Sequence, residues 1–170
     1  MTPEAVTLPM LLESRDRRRM RQQEWLKTAP SATLVVLTIV MPGSVKRSDM
    51  SLKAAAAAVK ALEYTFAGCI MRMETFDLAT GFEAFMLLGD SSESVKRKTC
   101  GIEDNHPLGR LFDIDVFSPE GMPMSRTELG LESRKCLMCG NDARVCMRTG
   151  AHSYDDLLAR ISLMISSYHA

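Results

Sequence analysis

"HPLGRLFDIDVF" (106–117) decides the architecture, because its second half reads only as a strand with two unlike faces. Strand side chains alternate, so Phe112, Ile114 and Val116 point one way while Asp113 and Asp115 point the other. The apolar row requires a layer of helices to cover it. The acidic face also carries Leu111 and Phe117, so it is not a fully wet surface. Two residue rises separate the aspartate Cα atoms by about 6.6 Å. Carboxylates about 5 Å apart repel by roughly 3 kcal/mol at an effective dielectric of 20, and by less than about 1 kcal/mol in water. A sheltered pair therefore needs a shared proton, a basic neighbour or a metal ion.

Outward from this strand, the chain alternates strands and helices. "TLVVLTIVM" (33–41) reads as a strand buried on both faces, and "GCIMRMETF" (68–76) and "GFEAFMLLG" (81–89) as two strands joined by a turn around "DLAT". "SDMSLKAAAAAVKALEYTF" (48–66) predicts a helix N-capped by Ser48, its stripe formed by Leu52, Ala56, Val59, Leu62 and Phe66. "SSESVKRKTC" (91–100) predicts another helix, "SPEG" (118–121) a turn, "MPMSR" a short return strand, and "SYDDLLARISLMI" (153–165) a closing helix with a Ser153/Asp156 capping box. The order implies an α+β protein: a small mixed sheet flanked by helices, in one domain over 1–170, with a C-terminal Cys/His knuckle and helix within 134–170.

The chain carries 21 basic and 21 acidic residues, so no global field points to nucleic acid or an anionic membrane, and its low aromatic content argues against base stacking. The longest apolar run is too short to span a bilayer, and the N-terminus lacks the basic start and apolar core of a secretory signal. Five cysteines in such a chain fit a reducing compartment and a cytoplasmic location, where they serve as thiols or metal ligands.

Three constellations carry candidate chemistry. Asp113-Ile114-Asp115 suits Mg²⁺, which takes one or two carboxylates and fills its shell with water and substrate phosphates; beside it stand His106, as base, phosphate donor or structural hydrogen-bonder, and Arg110. The strand–"PGSVKRS"–helix segment offers Gly43 and Ser44 amides, a helix N-terminus and the Lys46 charge to a phosphate, although a plain strand-to-helix turn fits as well. Cys136, Cys139, Cys146 and His152, spaced C-x₂-C-x₆-C-x₅-H, are compatible with tetrahedral Zn²⁺, with a redox C-x-x-C and with simply packed thiols. Near the start, "LLESRDRRRMRQQEWLK" (11–27) places five arginines around Asp16, a solvated helix face or a phosphate-facing cluster.

With these segments in view, the sequence resembles the apo-citrate lyase phosphoribosyl-dephospho-CoA transferases nearly end to end. "LLESRDRRRMRQQEWLK", "MPGSVK", "HPLGRLFDIDVFSPEG" and "SRKCLMCGNDARVCMRTGAHS" carry the likeness. It implies transfer of the prosthetic group from 2′-(5″-triphosphoribosyl)-3′-dephospho-CoA to a serine of the acyl-carrier (gamma) subunit of apo-citrate lyase, with release of diphosphate. It further implies a nucleotidyltransferase-like fold, Asp113 and Asp115 holding Mg²⁺, and Arg110, Lys46, Gly43 and Ser44 steadying the leaving diphosphate, with Arg15 and Asp16 as additional substrate contacts. The alternatives are the same transfer to another acyl carrier, such as that of malonate decarboxylase, and a non-enzymatic zinc-knuckle module.

Overall fold

The computed structural model describes residues 4–169. Its centre is a four-stranded sheet of β1 (Thr33–Ile39), β2 (Ile70–Leu78), β3 (Gly81–Leu88) and β4 (Phe112–Phe117), in the order β2-β3-β1-β4. The α+β class is as expected, but all three pairings are antiparallel, so the sheet is not a mixed one. The hairpin between β2 and β3 closes through Ala79 and Thr80, and a loop that short can only return the chain antiparallel. β3 and β4 flank β1 and run the same way, linked over it by α3 (Ser92–Asn105).

One face carries the main core. Val35, Leu37, Met86, Phe112, Ile114 and Val116 project into it and meet residues of α2 (Asp49–Thr65) and α5 (Tyr154–Ser166), such as Leu62 and Ile161. Ser48 caps α2 as the sequence implies, through a reciprocal pair of bonds with Ser51. The stripe α2 buries is instead Ala54, Ala55, Ala57, Ala58 and Leu62, while Ala56 is exposed. A run of five alanines gives no periodic signal of its own, and the small side chains suit close packing on the sheet. Leu111 also lies in this core, because residues 109–111 form a 3₁₀ turn before the strand alternation begins.

Helix α1 (Leu8–Thr28) covers the other face. A smaller cluster of Trp25, Leu34, Val36, Phe85 and Leu87 holds one end, with Phe117 packed against it. The rest of the α1 contact is polar: Ser14 bonds Thr80 at 2.8 Å, and Arg21 lies over the Phe76 ring at 3.8 Å. The return strand expected at 122–126 reduces to one bridge between Phe117 and Pro123, supported by Met124 N–H donating to the Val116 carbonyl.

β4 is an edge strand, yet its free edge is filled by side chains. Glu103 of α3 accepts the Ile114 N–H at 2.9 Å, Lys96 donates to the Ile114 carbonyl at 3.2 Å, and Arg134 donates to the Phe112 carbonyl at 2.6 Å. Arg126 pairs with Glu103 from the other side at 2.6 Å. Gly109 makes the tight return from α3 to β4 possible: a Cβ there would fall 2.5 Å from the Glu103 carbonyl oxygen.

Candidate active site

The acidic strand delivers its two aspartates to the α1 face. In the sheet register Glu83 of β3 faces Thr38 of β1, and Thr38 faces Asp113 of β4; Asp115 faces Val36. Three carboxylates therefore share one side of the sheet. Glu83 is buried and neutralised by α1, with Arg18 at 2.9 Å and Arg21 at 3.4 Å. Asp113 accepts a hydrogen bond from the Thr38 hydroxyl at 3.4 Å and pairs with Arg134 at 3.2 Å. Asp115 is open to solvent on one side. Enough protein nevertheless surrounds its carboxyl that burial, reinforced by the Asp113 charge, pushes its pKa above the ordinary range, while Lys96 and Arg18 pull against that shift. Asp115 therefore favours the gain of a cation or a proton.

The Gly-Ser loop stands at the same end of the sheet, where β1 finishes and β3 and β4 start. Gly43 adopts φ +72°, and the Tyr154 ring leaves no room for a Cβ there. Ser44 is held by its carbonyl, which accepts the Val6 N–H at 2.9 Å, and Arg47 fastens the loop to β2 through two 2.7 Å bonds to Asp77. Lys46 donates to the Met41 carbonyl at 2.5 Å. Partial burial, and then the charge of nearby Arg15, lower its pKa. Two cations gathered beside an exposed loop make an anion-receptive corner. The α2 N-terminus does not contribute to it: Ser48 and Ser51 satisfy each other's amides, and Asp49 occupies the first turn. Asp16 is exposed on α1.

His106 and Arg110 do not join the pair. His106 lies on the core side of β4, its ring between Phe112 at 4.9 Å and Tyr168 at 5.3 Å. Its Nδ1 accepts the Leu108 N–H at 3.0 Å, and burial lowers its pKa. The reason is the alternation of β4: the neighbour that holds His106 points opposite to Asp113. Arg110 turns to Asp104 at 3.5 Å and to the Lys135 carbonyl. The basic partner of Asp113 is Arg134, two residues ahead of the C-x-x-C, which sequence reading passed over. Glu83 was legible as the one charged residue in "GFEAFMLLG", and Arg18 belongs to the arginine run.

The four predicted metal ligands converge. The ligand atoms of Cys136, Cys139, Cys146 and His152 all lie within 4.8 Å of one another, with Cys139 Sγ 3.6 Å from both Cys146 Sγ and His152 Nε2. Tetrahedral Zn²⁺ with bonds of about 2.3 Å to sulfur requires S–S separations of roughly 3.7 Å. Burial opposes ionisation of Cys136, but the Met138 and Cys139 amides and the adjoining thiols bring its pKa to about 7. Cys146 is pushed up to about 12 by burial and by those thiols. The cluster could hold a metal ion. A helix of about two turns, α4 (Ala143–Thr149), carries Cys146.

Comparison with known proteins supplies the family. The family model described as apo-citrate lyase phosphoribosyl-dephospho-CoA transferase matches residues 6–168. The chain belongs to that family. A transferase so named from Escherichia coli O7:K1 (strain IAI39) is 38% identical over 169 residues, covering 98% of this chain and 92% of the relative. One from Shigella boydii serotype 18 is 37% identical with the same coverage. The family match thus spans the acidic strand, the Gly-Ser loop and the Cys/His cluster together. Among the described residues no helix is long and apolar enough to cross a membrane.

Proposed function

We propose that this chain transfers the 2′-(5″-phosphoribosyl)-3′-dephospho-CoA group from its triphosphoribosyl precursor to a serine of the apo-citrate lyase acyl-carrier subunit, in the cytoplasm. Family membership supports the reaction, and one observation carries the mechanism: Asp113 and Asp115 share an open sheet face that α1 and Arg134 surround with positive charge. The serine Oγ attacks the α-phosphorus, the bond from that phosphorus to the oxygen bridging the β-phosphate breaks, and diphosphate leaves. One carboxylate of the Asp113/Asp115 pair orients the incoming serine hydroxyl, whose proton passes to water as the bond to phosphorus forms.

A pair of carboxylates on one face, one of them strained by the other's charge, fits a divalent cation, and Asp113 and Asp115 would hold Mg²⁺. Bound there, it would neutralise triphosphate charge. Arg15 and Lys46, beside the Gly43–Ser44 loop, steady the departing diphosphate as its charge grows. Cys136, Cys139, Cys146 and His152 hold Zn²⁺ as a structural ion, a reading supported by their 3.6 Å separations.

The test is direct. Incubation with apo-carrier subunit, Mg²⁺ and the triphosphoribosyl donor gives a carrier mass increase matched by released diphosphate. An unmodified carrier overturns the assignment, and a parallel incubation with the malonate decarboxylase carrier defines its range.

A further inference from the structure

The segment that bears the Cys/His cluster is flanked by two residues, Arg134 and Tyr154, that touch the acidic strand and the Gly-Ser loop. On its leading side, Arg134 Nη1 bonds Asp113 Oδ1 at 3.2 Å, while Nη2 donates to the Arg110 and Phe112 carbonyls at 2.7 and 2.6 Å. One guanidinium thus orients a carboxylate and pins the start of the strand that bears it. On its trailing side, two residues past His152, Tyr154 lies against Gly43 so closely that a Cβ there would meet its ring carbon at contact distances real side chains do not reach. The segment between is closed on itself: the Arg134 carbonyl accepts the Ala143 N–H at 2.8 Å, Cys136 N–H donates to the Asn141 carbonyl at 2.8 Å, and Lys135 bridges Asp142. Apolar support is thin: Cys146 alone is buried in α4, and Leu137 packs partly against the main core.

We propose that metal in the Cys136/Cys139/Cys146/His152 cluster acts as a clamp that fixes the acidic strand relative to the Gly-Ser loop, with Arg134 as the positioning residue for Asp113. The inference rests on the transfer reaction proposed above. The four ligands come from residues 136–152, while the two contacts that matter lie just outside that span, at 134 and 154. Binding one ion therefore sets both ends at once. A guanidinium fits this duty because its planar fork engages a carboxylate and two carbonyls together; a lysine ammonium at the same position satisfies fewer partners.

Three preparations test it: wild type, Arg134→Ala and Arg134→Lys, each assayed with zinc bound and after a zinc-selective chelator in excess Mg²⁺. Arg134→Ala retains one zinc per chain, loses at least about 30-fold in kcat, and changes KM for the donor by less than about threefold; Arg134→Lys recovers part of the loss. Zinc removal lowers wild-type kcat at least as far as Arg134→Ala does, but costs Arg134→Ala at least about threefold less than it costs wild type, because only the Tyr154 contact is left to release. A kcat for zinc-loaded Arg134→Ala within about threefold of wild type overturns the proposal. So does equal zinc sensitivity in both proteins, or a wild-type chain that binds no zinc. A urea-unfolding cycle of Arg134→Ala with Cys139→Ser reads the same link without the reaction: the effect of the cysteine change on the unfolding constant shrinks at least about fivefold when Arg134 is absent. Persistence of that coupling in a protein that transfers nothing would refute the proposed reaction and leave the clamp standing; additive effects refute the clamp.

Discussion

The two faces of the sheet are made from the same four strands and do opposite work. The face under α2 and α5 is packed with residues such as Leu37, Phe112 and Ile114, each at most 1% exposed. The face under α1 is apolar chiefly in the smaller cluster of Trp25, Leu34, Val36, Phe85 and Leu87. Towards the Gly-Ser loop it carries Glu83, Thr38, Asp113 and Asp115, and α1 reaches it with arginines rather than leucines. Stability is concentrated on one side, and electrostatic stress on the other. In β4 the division runs between neighbouring residues, so substitutions one position apart should fall into different classes of effect.

The largest expected effect is on the acidic side. Asp113→Asn lowers transfer by at least about 10³-fold, roughly 4 kcal/mol of barrier, while its melting temperature stays close to wild type, because a half-exposed ion pair contributes less than about 1 kcal/mol. Transfer assays beside thermal unfolding check both halves. Across the sheet, Leu37→Ala costs about 2–5 kcal/mol in urea unfolding and leaves the rate per folded molecule unchanged; a selective loss of rate would break the division. Arg18→Met tests the border between the two. It leaves the buried Glu83 with Arg21 alone and costs about 2 kcal/mol, less than full removal of a buried ion-pair partner.

Two smaller effects are read through pH. Burial lowers the folded-state pKa of His106, so the unfolded chain takes up that proton first, and stability falls as pH drops below about 6.5. His106→Phe flattens this part of the curve and, since the ring stands on the core side, leaves transfer within about twofold. Asp115 behaves in the opposite sense. Its raised pKa makes the folded state the better proton binder, so stability declines as pH rises from about 4 through the raised value. Asp115→Asn therefore melts about 1–3 °C higher than wild type at pH 7, with no gain near pH 3, while abolishing transfer. An unchanged or lower melting point at pH 7 would remove the electrostatic stress assigned to this face.

How much of this was legible in the sequence depended on whether the signal was local. Alternation in "FDIDV" revealed both faces of β4, Ser48 and Ser153 marked helix starts, and cysteine spacing announced a cluster that the fold does assemble. The antiparallel sense of the sheet and the buried stripe of α2 were not legible, since they depend on where the chain returns and on how closely an alanine run packs. The site was half-visible for the same reason. Nearness along the chain suggested His106 and Arg110 as companions of the aspartates, but strand alternation sends one to the core and a surface pair with Asp104 holds the other. The true neighbours, Thr38, Glu83 and Arg134, reach the site through register and through the cluster, from up to 75 residues away.

The seating of Tyr154 on Gly43 has a consequence for how the protein comes into being. The loop is made early and the tyrosine late, so during synthesis the sheet can pair while the Gly-Ser loop still lacks its backing. Arg134 reaches Asp113 only shortly before. A chain emerging from the ribosome thus passes through a stage with a formed acidic strand and neither tether in place, and both are present only as α5 begins to wind.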